Sequence, residues 1–97
     1  MWIPSSPSIV VYTVAELKSK TVAELKAICD YRNITYATND VKNKLVALIV
    51  KDEGISYTSS DLESNTTAEL KAICDGLGIA YTDSNTDDEL KEFILAN

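Results

Sequence analysis

The chain has 97 residues, of which 45% are hydrophobic and 25% are charged, and its formal net charge is −6 with no histidine. These proportions are typical of a globular protein and exclude a chain that is disordered throughout. Without histidine the chain lacks the commonest general base and a usual zinc ligand. The sequence therefore predicts no enzyme, no metal site and no cofactor.

Residues 1–8 are predicted to form a flexible arm, because they contain two prolines and three serines without helical or strand periodicity. Trp2 and Ile3 are an apolar pair on this arm without an evident place in a core, so they are candidate docking residues for a partner. We expect no signal peptide, since a basic region followed by an apolar run is missing. We also expect no membrane partner, because no stretch approaches the roughly 18 to 20 apolar residues of a membrane span.

The rest of the chain is an internal duplication. Residues 9–52 align without a gap on residues 54–97, and 17 of the 44 aligned positions are identical. In the densest stretch, TVAELKAICD from Thr21 matches TTAELKAICD from Thr66. A repeat of this length is typical of a supersecondary unit. We therefore predict two units, copy one at residues 9–53 and copy two at residues 54–97, each near the lower size limit for a core of its own.

Each copy is predicted to contain a short leading helix followed by a main helix. Thr13-Val-Ala-Glu16 is a capping box that opens the leading helix, with Leu17 as its inward anchor and Leu62 as the anchor in copy two. Second boxes, at Thr21 and at Thr66, open the main helix. Apolar residues at helical spacing then predict its buried face; they are Val22, Leu25, Ile28 and Cys29 in copy one and Leu70, Ile73, Cys74 and Leu77 in copy two.

An extended crossing is predicted after the main helix, which should stop at Asn33 or Gly78, since these residues tolerate the left-handed conformation. The crossing buries an isoleucine and lays a tyrosine over the helix ends, so we interpret Tyr36 and Tyr81 as core residues rather than partner contacts.

A third helix follows the crossing, and Gly54 ends it in copy one. Its apolar positions are Val41, Leu45, Leu48 and Ile49 in copy one and Leu90, Phe93 and Ile94 in copy two. A capping box at Thr86 opens it in copy two, whereas copy one has Val41 at that position and is predicted to use Asn39 or Asp40 as the cap.

Cysteines and acidic residues can bind metals or form disulfides, but their positions in this sequence favour a structural role. Cys29 and Cys74 occupy matched positions on an apolar face, so we interpret them as small core residues rather than as a disulfide or metal ligands. The acids Asp83, Asp87, Asp88 and Glu89 lack the spacing and turn glycine of a calcium loop. Helix capping and the helix dipole explain them more simply.

The repeat TxAELKAICDxxxIxY, followed by a second amphipathic helix, resembles the helix-extended loop-helix (HeH) domain, a family similar to the LEM and SAP domains and to the N-terminal domain of the Rho transcription terminator. The resemblance covers Thr13 to Val50 and Thr58 to Leu95. It implies an all-α fold of two tandem LEM/SAP-like units, each with a short leading helix. It also implies a phage or prophage protein, structural or head-associated, found in the virion or in the cytoplasm of the bacterial host.

The family divides between protein binding, as in LEM-like members, and DNA binding through basic residues, as in SAP-like members. The candidate phosphate contacts in copy one are Lys18, Lys20, Lys26, Arg32, Lys42 and Lys44. Of the six matched positions in copy two, only Lys71 is basic, and residues 54–97 carry two lysines against nine acids. Since nucleic-acid binding depends on a net positive face, our first hypothesis is protein–protein interaction, with other virion proteins as possible partners. DNA binding by copy one is the alternative.

Overall fold

A computed structural model describes residues 12–97, and within this range the chain is all-helical and contains no β-strand. The helices are α1 (Val14–Lys18), α2 (Val22–Tyr31), α3 (Lys42–Glu53), α4 (Ser59–Leu62), α5 (Thr67–Leu77) and α6 (Asp87–Ala96). The all-α prediction is confirmed for this range. A short helix followed by two longer ones occurs twice, at the positions that the repeat predicts. Trp2 and Ile3 lie outside the described residues.

Five of these six helices begin with a capping box. The N-cap residues are Thr13, Thr21, Thr58, Thr66 and Thr86. In each box the threonine side chain accepts a hydrogen bond from the N–H three residues later, and the acidic side chain of that later residue accepts from the threonine N–H. The boxes at Thr13, Thr21, Thr66 and Thr86 confirm the prediction, and the box at Thr58 uses aspartate instead of glutamate.

Helix α3 begins differently, and the predicted cap at Asn39 or Asp40 is wrong. Val41 is the N-cap residue, and it makes no side-chain cap hydrogen bond. Asp40 is engaged elsewhere, because its Oδ2 accepts from the N–H of Ala37 at 2.9 Å and its Oδ1 lies 3.2 Å from Lys44 Nζ. Val41 is also 56% exposed rather than part of the buried face, since it has extended backbone and precedes the first helical turn.

The main helices end as the sequence predicts, in left-handed residues. Asn33 has φ 60° and Gly78 has φ 78°. In both copies the next residue closes the motif, since the N–H of Ile34 donates to the carbonyl of Cys29, and that of Ile79 to the carbonyl of Cys74, each at 2.8 Å. This is the Schellman arrangement, which satisfies carbonyls at the helix end and turns the chain into the crossing.

The buried apolar side chains form one cluster that includes residues of both copies. Its largest fully buried members are Leu17, Leu25, Leu45, Ile49, Leu62, Leu70, Ile73 and Leu90. Besides Val41, two residues of the predicted buried faces are more exposed than expected, Val22 at 38% and Phe93 at 36%. Val22 lies in the first turn of α2, and Phe93 lies on α6, which makes its main contacts with α5 and α4 alone.

Helices α3 and α5 make the most extensive helix–helix contact in the described chain. On α3, Val46, Ala47 and Val50 are each no more than 1% exposed, and Ala47 lies opposite Gly76 of α5. On α5 the contact depends on Gly76, where an added Cβ would lie 2.5 Å from Ala47 Cβ and 2.7 Å from the carbonyl oxygen of Lys44. The two backbones approach so closely that only glycine fits at position 76. Copy one and copy two are therefore packed directly against each other.

Candidate interaction surfaces

The basic residues at the end of α1 contact other parts of the chain. Lys18 Nζ donates to the backbone carbonyl of Asp61 at 2.6 Å, which joins copy one to copy two. Lys20 Nζ lies 5.2 Å from the centre of the Tyr12 ring, within the range of a cation–π interaction. Both lysines thus have structural partners within the chain.

Arg32 is held in an ion-pair cluster with the end of α3. Its Nε lies 2.8 Å from Asp52 Oδ2, and its Nη1 lies 3.2 Å from Glu53 Oε2. The Glu53 side chain is only 1% exposed, and its other oxygen accepts from the N–H of Tyr12 at 3.1 Å. Glu53 Oε2 has no hydrogen bond of good geometry, so the nearby guanidinium is its main compensation. Arg32 therefore neutralises a buried carboxylate and is not available to a phosphate.

The remaining candidates differ from one another. Lys26 Nζ donates to the carbonyl of Thr38 at 2.7 Å, and Lys44 pairs with Asp40. Within residues 12–97, Lys42 has no hydrogen bond, ion pair or cation–π contact to another side chain. Five of the six sequence-predicted phosphate contacts thus have partners inside the chain. Lys18 and Lys42 line the same groove, and Lys42 is the one candidate of the six for which the described residues show no such partner.

A polar groove runs between the N-terminus of α3 and the segment that joins α4 to α5. Lys42, Asn43, Ser64, Asn65 and Glu69 line it together with Lys18 and Val46. Asn65 Nδ2 is buried there and has no hydrogen-bond partner. The groove lies between the two copies, so neither copy's sequence alone could indicate it. Its lining is mostly polar and contains two lysines and the carboxylate of Glu69.

The cysteines are part of the core, as predicted. Both thiols are free, and both side chains are fully buried. Burial raises the pKa of Cys29 to about 11, and it also raises the pKa of Cys74. Since the thiolate is the reactive form, these cysteines are poor nucleophiles in the folded chain. The described residues contain no group of three or more potential metal-ligating side chains.

Three of the four acids before and within α6, Asp83, Asp87 and Glu89, have structural partners. Glu89 closes the Thr86 box, and its pKa is lowered, first by the hydrogen bond from the Thr86 N–H. Asp87 accepts a hydrogen bond from the hydroxyl of Thr67, and Asp83 lies 3.5 Å from Lys71 Nζ. These contacts favour the capping interpretation of the acidic run over a calcium loop.

The tyrosines separate into packed and exposed residues. Tyr36 and Tyr81 are partly buried and pack against the core cluster, and Tyr36 OH donates to Asp30 Oδ1 at 3.1 Å. This agrees with their interpretation as core residues. Tyr31, which the sequence reasoning did not single out, is the most exposed of the exposed large hydrophobic residues, at 71%. Aligning the two copies could have drawn attention to Tyr31, because copy two has glycine at the matched position.

None of the helices within residues 12–97 combines the length and the apolar character that a bilayer crossing requires. Comparison of the chain with protein-family models, with curated proteins and with solved structures found no match.

Proposed function

We propose that the chain is a non-enzymatic interaction protein made of two tandem helix-extended loop-helix units that dock protein partners. The duplication, the AELKAICD motif and its resemblance to the HeH, LEM and SAP domains support this proposal. The same resemblance supports a phage or prophage structural or head-associated role, with other virion proteins as partners. The recurrence of a short helix and two longer ones, opened by matched threonines, agrees with the tandem arrangement.

The internal engagement of the basic side chains carries the preference for a protein partner. Lys18, Lys20, Lys26, Arg32 and Lys44 all contact groups of the chain itself. DNA binding draws its affinity from basic groups that are free to displace counterions from phosphates. Copy two adds a surface with nine acids and two lysines, which repels a polyanion. A protein partner requires no such positive face.

Chemical cross-linking in the natural assembly tests the proposal. We expect the chain to be linked to a defined protein partner, identified by mass spectrometry, with a yield that nuclease treatment leaves unchanged. Free chain mixed with the dissociated assembly provides the background control. Cross-links that disappear after nuclease treatment would contradict a direct protein contact.

The N-terminal arm has its own test. If Trp2 and Ile3 dock on the partner, deletion of residues 1–8 should leave the helical circular dichroism spectrum unchanged and abolish the association. Replacing Ser5, Ser6 and Ser8 with alanine gives a matched control that keeps both apolar residues. A truncated chain that still associates would remove the arm from the interface.

DNA binding by copy one is the second candidate, and the N-terminus of α3 favours it. This terminus has no side-chain cap and no acid in its first turn, and Lys42 and Lys44 follow it directly. Exposed amide groups and nearby lysines are typical of phosphate contacts. Titration of short duplex and single-stranded DNA at low ionic strength tests this candidate. If this candidate is correct, the chain binds DNA at micromolar concentration and added salt removes the binding. The double variant Lys42→Glu with Lys44→Glu should then lose the binding, and the control Lys51→Glu with Lys91→Glu should keep it.

A further inference from the structure

The contact between the two copies joins different faces of the repeat. Copy one contributes α3, which we call the donor face, and copy two contributes α5, which we call the acceptor face. A contact of this heterologous kind does not close on itself, so it can add further units in a line unless something prevents it. Copy two has its own counterpart of the donor face on α6, and copy one has its own counterpart of the acceptor face on α2.

The acceptor counterpart in copy one cannot accept a helix at the same distance. Its residues matched to Gly76 and Leu77 are Tyr31 and Arg32. Even a Cβ at position 76 would lie 2.5 Å from its neighbour across the contact, so tyrosine at the equivalent position prevents the approach. Arg32 adds a guanidinium that is already paired with Asp52 and Glu53, where Leu77 supplies an apolar side chain that is 5% exposed.

The donor counterpart in copy two is polar where the donor face is apolar. Val46 and Ala47 correspond to Lys91 and Glu92, and Val50 corresponds to Leu95, which is 41% exposed. Burying a lysine and a glutamate against an apolar helix without partners is strongly unfavourable.

The hydrogen bond that Lys18 makes between the copies could not form in a further contact of the same kind. Lys18 Nζ donates to the carbonyl of Asp61 in the existing contact, and the residue matched to Lys18 is Glu63. An ionised carboxylate has no proton to donate to a carbonyl oxygen. The changes to Glu63, Lys91 and Glu92 in copy two and to Tyr31 and Arg32 in copy one therefore all disfavour the same event, the addition of another copy.

We propose that the chain is a closed pair, in which the outer faces of both copies prevent head-to-tail docking of a second chain. Reverting these faces to the residues that form the internal contact would let α6 of one chain pack on α2 of another. The proposal does not depend on which partner the protein binds, because it concerns contacts between copies of this chain.

Two complementary variants test the proposal by mixing. The acceptor variant carries Tyr31→Gly and Arg32→Leu, with Glu53→Gln so that no carboxylate stays buried without its guanidinium. The donor variant carries Glu63→Lys, Lys91→Val, Glu92→Ala and Leu95→Val. By sedimentation equilibrium we expect the native chain and each variant alone to have the mass of one chain, and the mixture to approach the mass of two. One chain that carries both sets should form longer oligomers.

A single methyl group provides the matched control. The acceptor variant with Tyr31→Ala in place of Tyr31→Gly should lose the association with the donor variant, because its Cβ recreates the short contact found at Gly76. An additional acceptor, Tyr31→Gly alone, keeps the Arg32 ion pairs and should associate more weakly than the full set. Circular dichroism melting shows which variants are folded.

The outcomes separate clearly. If neither folded glycine acceptor associates with the folded donor variant, the proposal is wrong. It is also wrong if the alanine acceptor associates as tightly as the glycine acceptor, or if the native chain itself forms head-to-tail oligomers.

Discussion

At the scale of single residues, Gly76 is the position where one atom matters most. Gly76→Ala should destabilise the fold by about 1 to 3 kcal/mol, the usual cost of overpacking, although alanine is the better helix former. Tyr31→Ala, at the matched position of copy one, is the control and should change stability by less than about 0.5 kcal/mol, since Tyr31 is 71% exposed. Urea denaturation followed by circular dichroism measures both. A Gly76→Ala chain as stable as the native one would contradict the close approach of α3 and α5.

The buried leucines of the main helices give a second prediction. Leu25 and Leu70 are both fully buried, so Leu25→Ala and Leu70→Ala should each cost roughly 2 to 5 kcal/mol, the sum of lost apolar burial and a residual cavity. The same denaturation experiment applies, with Ala23→Gly and Ala68→Gly as controls for helix propensity on the exposed side. Unchanged midpoints for the leucine variants would mean that this face is not the core.

The thiols provide a third, independent measure of packing. Since burial raises the pKa values of Cys29 and Cys74, both thiols should react with a disulfide reagent at pH 8 far more slowly in the folded chain than in denaturant. The rate of release of the reagent's chromophore reports this directly. Fast reaction of either cysteine under native conditions would show that the helix around it opens readily.

Single positions also show what the sequence can and cannot indicate. The leucine and cysteine positions were predictable, because helical spacing alone identifies the centre of a buried face. Val22, Val41 and Phe93 were not, since they lie at helix starts or on a flank whose exposure depends on which helix packs there. The role of Gly76 could not be predicted from the sequence of one copy. The only indication was that copy one has tyrosine at the matched position, Tyr31.

At the scale of the helix, the start signals decide where each element begins. Thr21→Ala should cost about 1 kcal/mol by removing an N-cap acceptor. A cap could instead be added to α3, because its N-cap residue, Val41, makes no side-chain hydrogen bond. Val41→Thr, which copies Thr86, should stabilise the chain by about 0.5 to 1 kcal/mol. Val22→Thr, which copies Thr67 one position inside α2, is the control and should gain no cap. Thermal melts that rank the two variants equally would contradict this reading.

The capping boxes also give the chain a direction of pH dependence. The pKa values of Glu24 and Glu89 are lowered, chiefly by hydrogen bonds from the threonine N–H groups. A carboxylate with a lowered pKa in the folded state stabilises that state above its ordinary pKa and loses the effect as pH falls through the lowered value. We therefore expect melting temperatures to fall on acidification below about pH 4.5. Replacing both residues with glutamine should reduce the fall in melting temperature over this pH range. If the fall is unchanged, other acidic residues cause it.

At the scale of the whole molecule, the helix order followed from the repeat, but the way the copies meet did not. The duplication suggested a small core in each copy, whereas the buried residues form one cluster. The run LVALIV at residues 45–50 indicated the shared core. It is more apolar than one buried helix face requires, and the matched residues of α6 are not apolar throughout. Read alone it resembles an ordinary buried helix. Only comparison of the two copies shows that it carries a second contact.

The shared cluster determines how the molecule should respond to mechanical load. If a chain is tethered near residues 12 and 97 and stretched in an optical trap, force that loosens either half exposes the helix surface on which the other half rests. We expect extension to occur in a single abrupt step near the full contour length. Two well-separated steps of similar length would mean that each half bears tension by itself.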